Sequence, residues 1–100
     1  MTVRANELDR VQGWSEGAMP SLFVYGRRDL QPVLLPAGTR ATVVWIDSGT
    51  VIGVQRDVAG GDVAIISPRE VTQALLMPPT TDLRGLAAGD RVHVLVEGRS

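Results

Sequence analysis

The feature that most limits this chain is the shortness of its apolar runs. From residue 21 onward, brief stretches rich in β-branched residues alternate with Gly, Pro and Asp punctuation. Leu22-Phe23-Val24-Tyr25 stops at Gly26-Arg27-Arg28-Asp29, and Ala41-Thr42-Val43-Val44-Trp45-Ile46 stops at Asp47-Ser48-Gly49. Thr50-Val51-Ile52-Gly53-Val54-Gln55 runs on to Ala59-Gly60-Gly61-Asp62, and Val63-Ala64-Ile65-Ile66 ends at Ser67-Pro68. Turn signals every roughly 8–12 residues suit a small barrel or sandwich. Val33-Leu34-Leu35 lies between Pro32 and Pro36, so it is at best an edge strand. The cleanest alternation is the last: Val92, Val94 and Val96 share one face of a strand, and Arg91, His93 and Glu97 the other.

Residues 1–20 read differently. They are mostly polar, and Gly13, Gly17 and Pro20 forbid a long helix; a turn of helix fits 6–11. The expectation is a flexible N-terminal arm over 1–20 and a single β-barrel domain over 21–100. Residues 67–77 allow two readings. Ser67-Pro68-Arg69-Glu70 has the form of a capping box with proline at the first helical position, which predicts a helix to Met77. The alternative is a strand over 71–77, ended by Pro78-Pro79. Thr80-Thr81-Asp82 can cap a short helical turn over 83–88, closed by Gly89. The fold class expected is therefore mainly all-β, a small antiparallel barrel or sandwich with one short helical turn.

Composition narrows the chemistry. One hundred residues make one domain with a modest core. Absent cysteines remove disulfides, thiol catalysis and thiolate metal sites together. His93 is the single histidine, so a zinc site would need mostly carboxylates. A net charge of −1 gives no general drive toward nucleic acid or acidic membranes. No apolar run approaches the ~20 residues that span a bilayer, and residues 1–7 carry no apolar signal core. All ten basic residues are arginine, a composition that fits a GC-rich genome such as an actinobacterial one.

Few motifs suggest catalysis. Val44-Trp45-Ile46-Asp47-Ser48-Gly49-Thr50 has the form of an aspartic-protease signature, in which two close carboxylates share a proton. That family also needs a later hydrophobic-hydrophobic-Gly segment; Val51-Ile52-Gly53 comes too soon, and Leu83-Arg84-Gly85 matches poorly. The simpler reading is a hairpin turn with the carboxylate accepting backbone N–H bonds. His93 belongs to no Ser/His/Asp constellation that spacing supports. Arg27-Arg28, with Arg40, Arg56 and Arg69, could meet phosphate on one surface, although a solvated charged face explains them as well. Gly60-Gly61 is a turn and not a phosphate cradle, since no Lys-Ser/Thr follows. Trp45 reads as core, whereas Trp14, in a polar segment, suits an interface anchor. No catalytic, cofactor-binding or metal-ligating residue is assigned, and the chain is not expected to be an enzyme.

The order of elements over 41–97 resembles the small head–tail connector proteins of long-tailed bacteriophages, the head-closure (stopper) and head–tail joining proteins. The resemblance is carried by an apolar strand ending at Ile46-Asp47, then Pro78-Pro79-Thr80-Thr81-Asp82-Leu83, then Leu86 with Gly89-Asp90-Arg91-Val92-His93-Val94. It implies a homo-oligomeric ring that closes the DNA channel after packaging and docks the tail. The partners implied are other copies of the chain, portal or adaptor proteins and tail proteins, with packaged DNA nearby and no membrane. The implied location is the neck of a virion assembled in a bacterial cytoplasm. Candidate assembly contacts are Trp14, Arg27, Arg28, Gly60 and Gly61. The alternatives are a generic bacterial β-barrel binding module and, distantly, the protease built on Asp47-Ser48-Gly49.

Overall fold

Residues 40–59 form a hairpin whose turn explains its own sequence. Strand β4 (Arg40–Asp47) runs into β5 (Thr50–Ala59) through Ser48 and Gly49 alone. Both turn residues have positive φ, 52° and 82°, the type I′ geometry that matches strand twist. The computed structural model describes residues 2–7, 20–30, 32–61, 64–80 and 85–97. Its other strands are β1 (Thr2–Glu7), β2 (Ser21–Asp29), β3 (Pro32–Val33), β6 (Ile65–Ile66), β7 (Val71–Met77) and β8 (His93–Glu97).

The chain is all-β, with a six-stranded sheet in the order β5-β4-β7-β2-β1-β8 and a two-stranded ribbon of β3 with β6. β4 shows why the large sheet is buried on both faces. Every residue from Ala41 to Ile46 is buried, as expected of a continuous β-branched run with neighbours on both sides. Ala41, Val43 and Trp45 enter one apolar cluster with Phe23, Tyr25, Val71, Ala74 and Leu76. The ribbon covers this cluster with Val33 and Ile65, and Leu35 packs beside them. Val44 and Ile46 enter a second cluster with Ala5, Leu22, Val51, Leu75, Met77, Leu86 and Val92, against which Val94 also packs. All six strands of the large sheet thus contribute to the second cluster, and the sheet wraps around it.

Two bulges in β5 help the sheet curl. Between Trp45↔Gly53 and Ile46↔Val51, and between Val43↔Gln55 and Ala41↔Val58, β5 carries one residue more than β4. Such insertions bend a strand and tighten its twist. The wrapping brings the start of β5 to the segment ahead of β8. Val51 N–H donates to the Asp90 carbonyl (2.8 Å), Gly89 N–H to that of Val51 (2.8 Å) and Val92 N–H to that of Gly49 (2.9 Å). Thr50 and Arg91 form an isolated antiparallel bridge at this seam. β8 and β5 do not otherwise pair, so the expected barrel is not closed.

Three further expectations are corrected, and the two readings of residues 67–77 are decided. The sheet is mixed, because β1 runs parallel to both β2 and β8. Residues 2–7 form a strand within the sheet, with Ala5 fully buried, and not an arm; residues 8–19 of the expected arm lie outside the described residues. Residues 71–77 are a strand, antiparallel to β2 and β4. The capping box does not form, because the Ser67 hydroxyl donates to the Arg69 carbonyl at 2.7 Å and β7 gains ladder bonds on both sides. The expected helical turn falls partly on residues 81–84, outside the described set; among the described residues there is no helix.

Candidate functional site

The five candidate contact residues have different settings. Trp14 lies outside the described residues. Arg27 and Arg28 occupy β2 where its register against β7 shifts, between Val24↔Gln73 and Asp29↔Val71. Four residues of β2 therefore stand across from Thr72 alone, a bulge on that strand. Gly60 closes the end of β5 against the 35–39 turn: its N–H donates to the Thr39 carbonyl at 2.7 Å, and Gly61 N–H donates to that of Leu35 at 3.1 Å. A Cβ on Gly60 would collide with backbone, while one on Gly61 would meet open space. Internal packing explains Gly60, which leaves Gly61 as the accessible half of the pair.

The arginines expected to share a surface have separate tasks. Arg40 Nε donates to Asp57 Oδ1 at 2.7 Å, and its Nη2 to the Asp57 carbonyl at 3.1 Å. That hydrogen bond, with the attraction between the charges, raises the Arg40 pKa and lowers that of Asp57. Both side chains are more than half exposed, so the pair adds little stability. Its job is local, since it clamps the second β5 bulge, where Asp57 has φ 53°. Arg56 Nη2 donates to the Leu86 carbonyl at 3.1 Å and ties β5 to the loop ahead of β8.

Asp47 pairs with Thr50 at the mouth of the β4–β5 turn, where the hairpin reading puts it, although its buried Oδ1 accepts no backbone N–H bond among the described residues. It lines an open cleft of about 330 Å³ with Ile52, Arg69 and Glu70. The turn is held from β7: Ser48 N–H donates to Thr72 Oγ1 at 3.2 Å. A second open cleft of about 270 Å³ is lined by Thr2, Arg91, Val92 and His93. Among the described residues, no three His, Asp or Glu side chains are grouped as a metal would need. No helix among them is long and apolar enough to cross a membrane.

The Leu-x-x-Gly-Asp-x-Val-x-Val element, residues 86–94, is accounted for residue by residue. Leu86 and Val92 are buried in the second cluster. Gly89 has φ 98°, a conformation glycine adopts without strain. Asp90 Oδ2 accepts from Ala87 N–H at 2.8 Å, closing the turn.

Two surfaces escaped the sequence reading. Leu30, Leu34 and Ile66 are exposed beside the ribbon, and Pro32, which is also exposed, pairs with Ile66. Alternation at 30, 32 and 34 signals this ridge. The second is β8, where Leu95 and Val96 are 40% and 41% exposed at the end of the sheet. No protein-family model matches the chain. No curated protein and no solved structure matches it either.

Proposed function

We propose that this chain acts by assembly, as a subunit of the head–tail connector of a long-tailed bacteriophage. The observation that carries an assembly role is the placement of large apolar side chains on the surface, with Leu34 and Ile66 at the ribbon and Leu95 and Val96 on the last strand. Grouped exposed apolar side chains suit contacts between proteins, and the clefts are open and polar. The connector assignment rests on the sequence resemblance over 41–97. In this reading copies form a ring whose contacts are heterologous, one patch meeting a different patch on the neighbour.

The test is electron microscopy of particles made when the gene is disrupted in its source genome, with mass spectrometry of the intact particles. Separate heads and free tails, together with the chain in the wild-type neck, support the reading. Joined, normal particles, or a source that makes no virion, overturn it and leave a β-sheet binding module.

A further inference from the structure

The two ends of the large sheet are treated differently. At the β5 end, two bulges break the regular ladder, Asp57 sits at φ 53° under its Arg40 clamp, and Arg56 reaches over to Leu86. Bulges and charged side chains of this kind prevent a sheet edge from recruiting another strand. Over 93–97, β8 carries no such bulge against its neighbour β1. Its five residues pair in unbroken parallel register with β1, from Thr2↔His93 to Asn6↔Glu97. Residues 89–92, just ahead, are bonded to 49–51. Beyond 92, no described strand lies on the outer side of β8.

We propose that this edge pairs with the β8 of a second copy, antiparallel, about a twofold axis at Leu95. The register follows from the stretch 93–97 that lacks a described strand on its outer side, since only pairing centred on residue 95 matches 93–97 with itself. Leu95 then stands opposite Leu95, Val94 opposite Val96, and His93 opposite position 97, a glutamate. Apolar residues meet apolar ones across the centre of the pair, the arrangement that favours cross-strand pairs. Val96, exposed in the single chain, gains a valine neighbour on the face that carries Val92 and Val94. The contact is isologous, unlike a ring contact, and does not depend on the connector reading. One short strand pair lies at the small end of interface sizes, so the dimer is weak.

The chain has no cysteine, so with a single introduced thiol any disulfide between protein cysteines joins two copies. Directly opposed residues have Cβ atoms about 4.5–5.5 Å apart, near the range that a disulfide spans. Leu95→Cys is compared with Leu34→Cys, a more exposed site beside the ribbon (56% against 40%), under oxidised glutathione, with circular dichroism to establish that both fold. Covalent dimer from Leu95→Cys in several-fold excess over Leu34→Cys is the expected result. In sedimentation equilibrium of the unmodified chain from about 10 µM to about 1 mM, a concentration-dependent dimer is expected, weakened about tenfold or more by Leu95→Lys. A chain monomeric throughout, or equal cross-linking at both sites, overturns the proposal. So does a dimer that Leu34→Lys disrupts and Leu95→Lys does not.

Discussion

A Cβ placed on Gly60 would stand 2.1 Å from the carbonyl oxygen of Pro36 and 2.9 Å from that of Leu35. The obstruction is backbone, which cannot rotate aside as a side chain would. Gly60→Ala should therefore destabilise the fold by about 1–3 kcal/mol or more. Gly61→Ala, next along the chain but facing open space, should change stability by about 0.5 kcal/mol or less. Urea unfolding of the two variants checks the contrast.

Trp45 is fully buried, and its indole Nε1–H donates to Gln55 Oε1 across the β4–β5 pair. Gln55→Leu would leave that donor in the core without its acceptor, at a cost of about 1–3 kcal/mol. In a double-mutant cycle, Trp45→Phe should cost less in the Gln55→Leu background than in the original chain. Equal costs in the two backgrounds would mean that the hydrogen bond adds nothing.

Ser48 holds φ 52° in the two-residue turn, where serine is tolerated and asparagine favoured. Its bond to Thr72 uses the backbone N–H and survives substitution. Ser48→Asn should stabilise the hairpin by about 0.5–1 kcal/mol. Ser48→Val, β-branched at positive φ, should destabilise it by about 1–2 kcal/mol. Thermal melts resolve both signs.

Asp57 combines a left-handed backbone with an ion pair to Arg40. Alanine and glycine both remove the pair, but glycine alone accepts φ 53° freely. Asp57→Gly should therefore melt above Asp57→Ala, an ordering that side-chain loss alone does not predict. The pair also sets a pH response. Because Arg40 lowers the folded pKa of Asp57 below the ordinary 3.8, the associated stability is complete above that value. It is lost as pH falls through the folded value. Arg40→Gln should flatten this part of the acid limb, measured as melting temperature between about pH 5 and pH 2.

The strands that were readable in the sequence are those with dense β-branched runs and a clear turn. Residues 41–46 and 50–55 show both, and Ser48-Gly49 joins them as a hairpin. β8 was readable from Val92, Val94 and Val96, although Val96 proves half exposed because it lies at the edge. β7 was ambiguous because Ser67-Pro68-Arg69-Glu70 satisfies helix-capping chemistry locally; ladders on both sides outweigh one cap. β1 was missed because Thr2–Glu7 carries just two buried-face residues, Val3 and Ala5, among polar ones. Its parallel neighbours have no local signature, since parallel pairing joins segments far apart in the chain. The contact surfaces were harder still. Gly60 looked like an accessible loop residue, and only the return of the 35–39 turn shows what it packs against. The exposure of Leu95 follows from where the sheet ends, which no stretch of residues encodes by itself.

The place of β1, parallel to β8 over five residue pairs, bears on how the chain reaches its native state. Val3 meets Val94 across about ninety residues of intervening chain, so this ladder closes one of the largest loops available. Closing it costs the most entropy and returns contacts only once both strands are in place. The hairpin of β4 and β5, with its two-residue turn, is the natural early structure. The β1–β8 ladder should come last in folding and open first in unfolding, with amides that exchange sooner than those of β4 and β7. Slow folding, on the millisecond-to-second scale of nonlocal β proteins, is then a property of topology. A second copy approaching β8 would meet a strand at the least protected end of the sheet, and docking there would slow its opening.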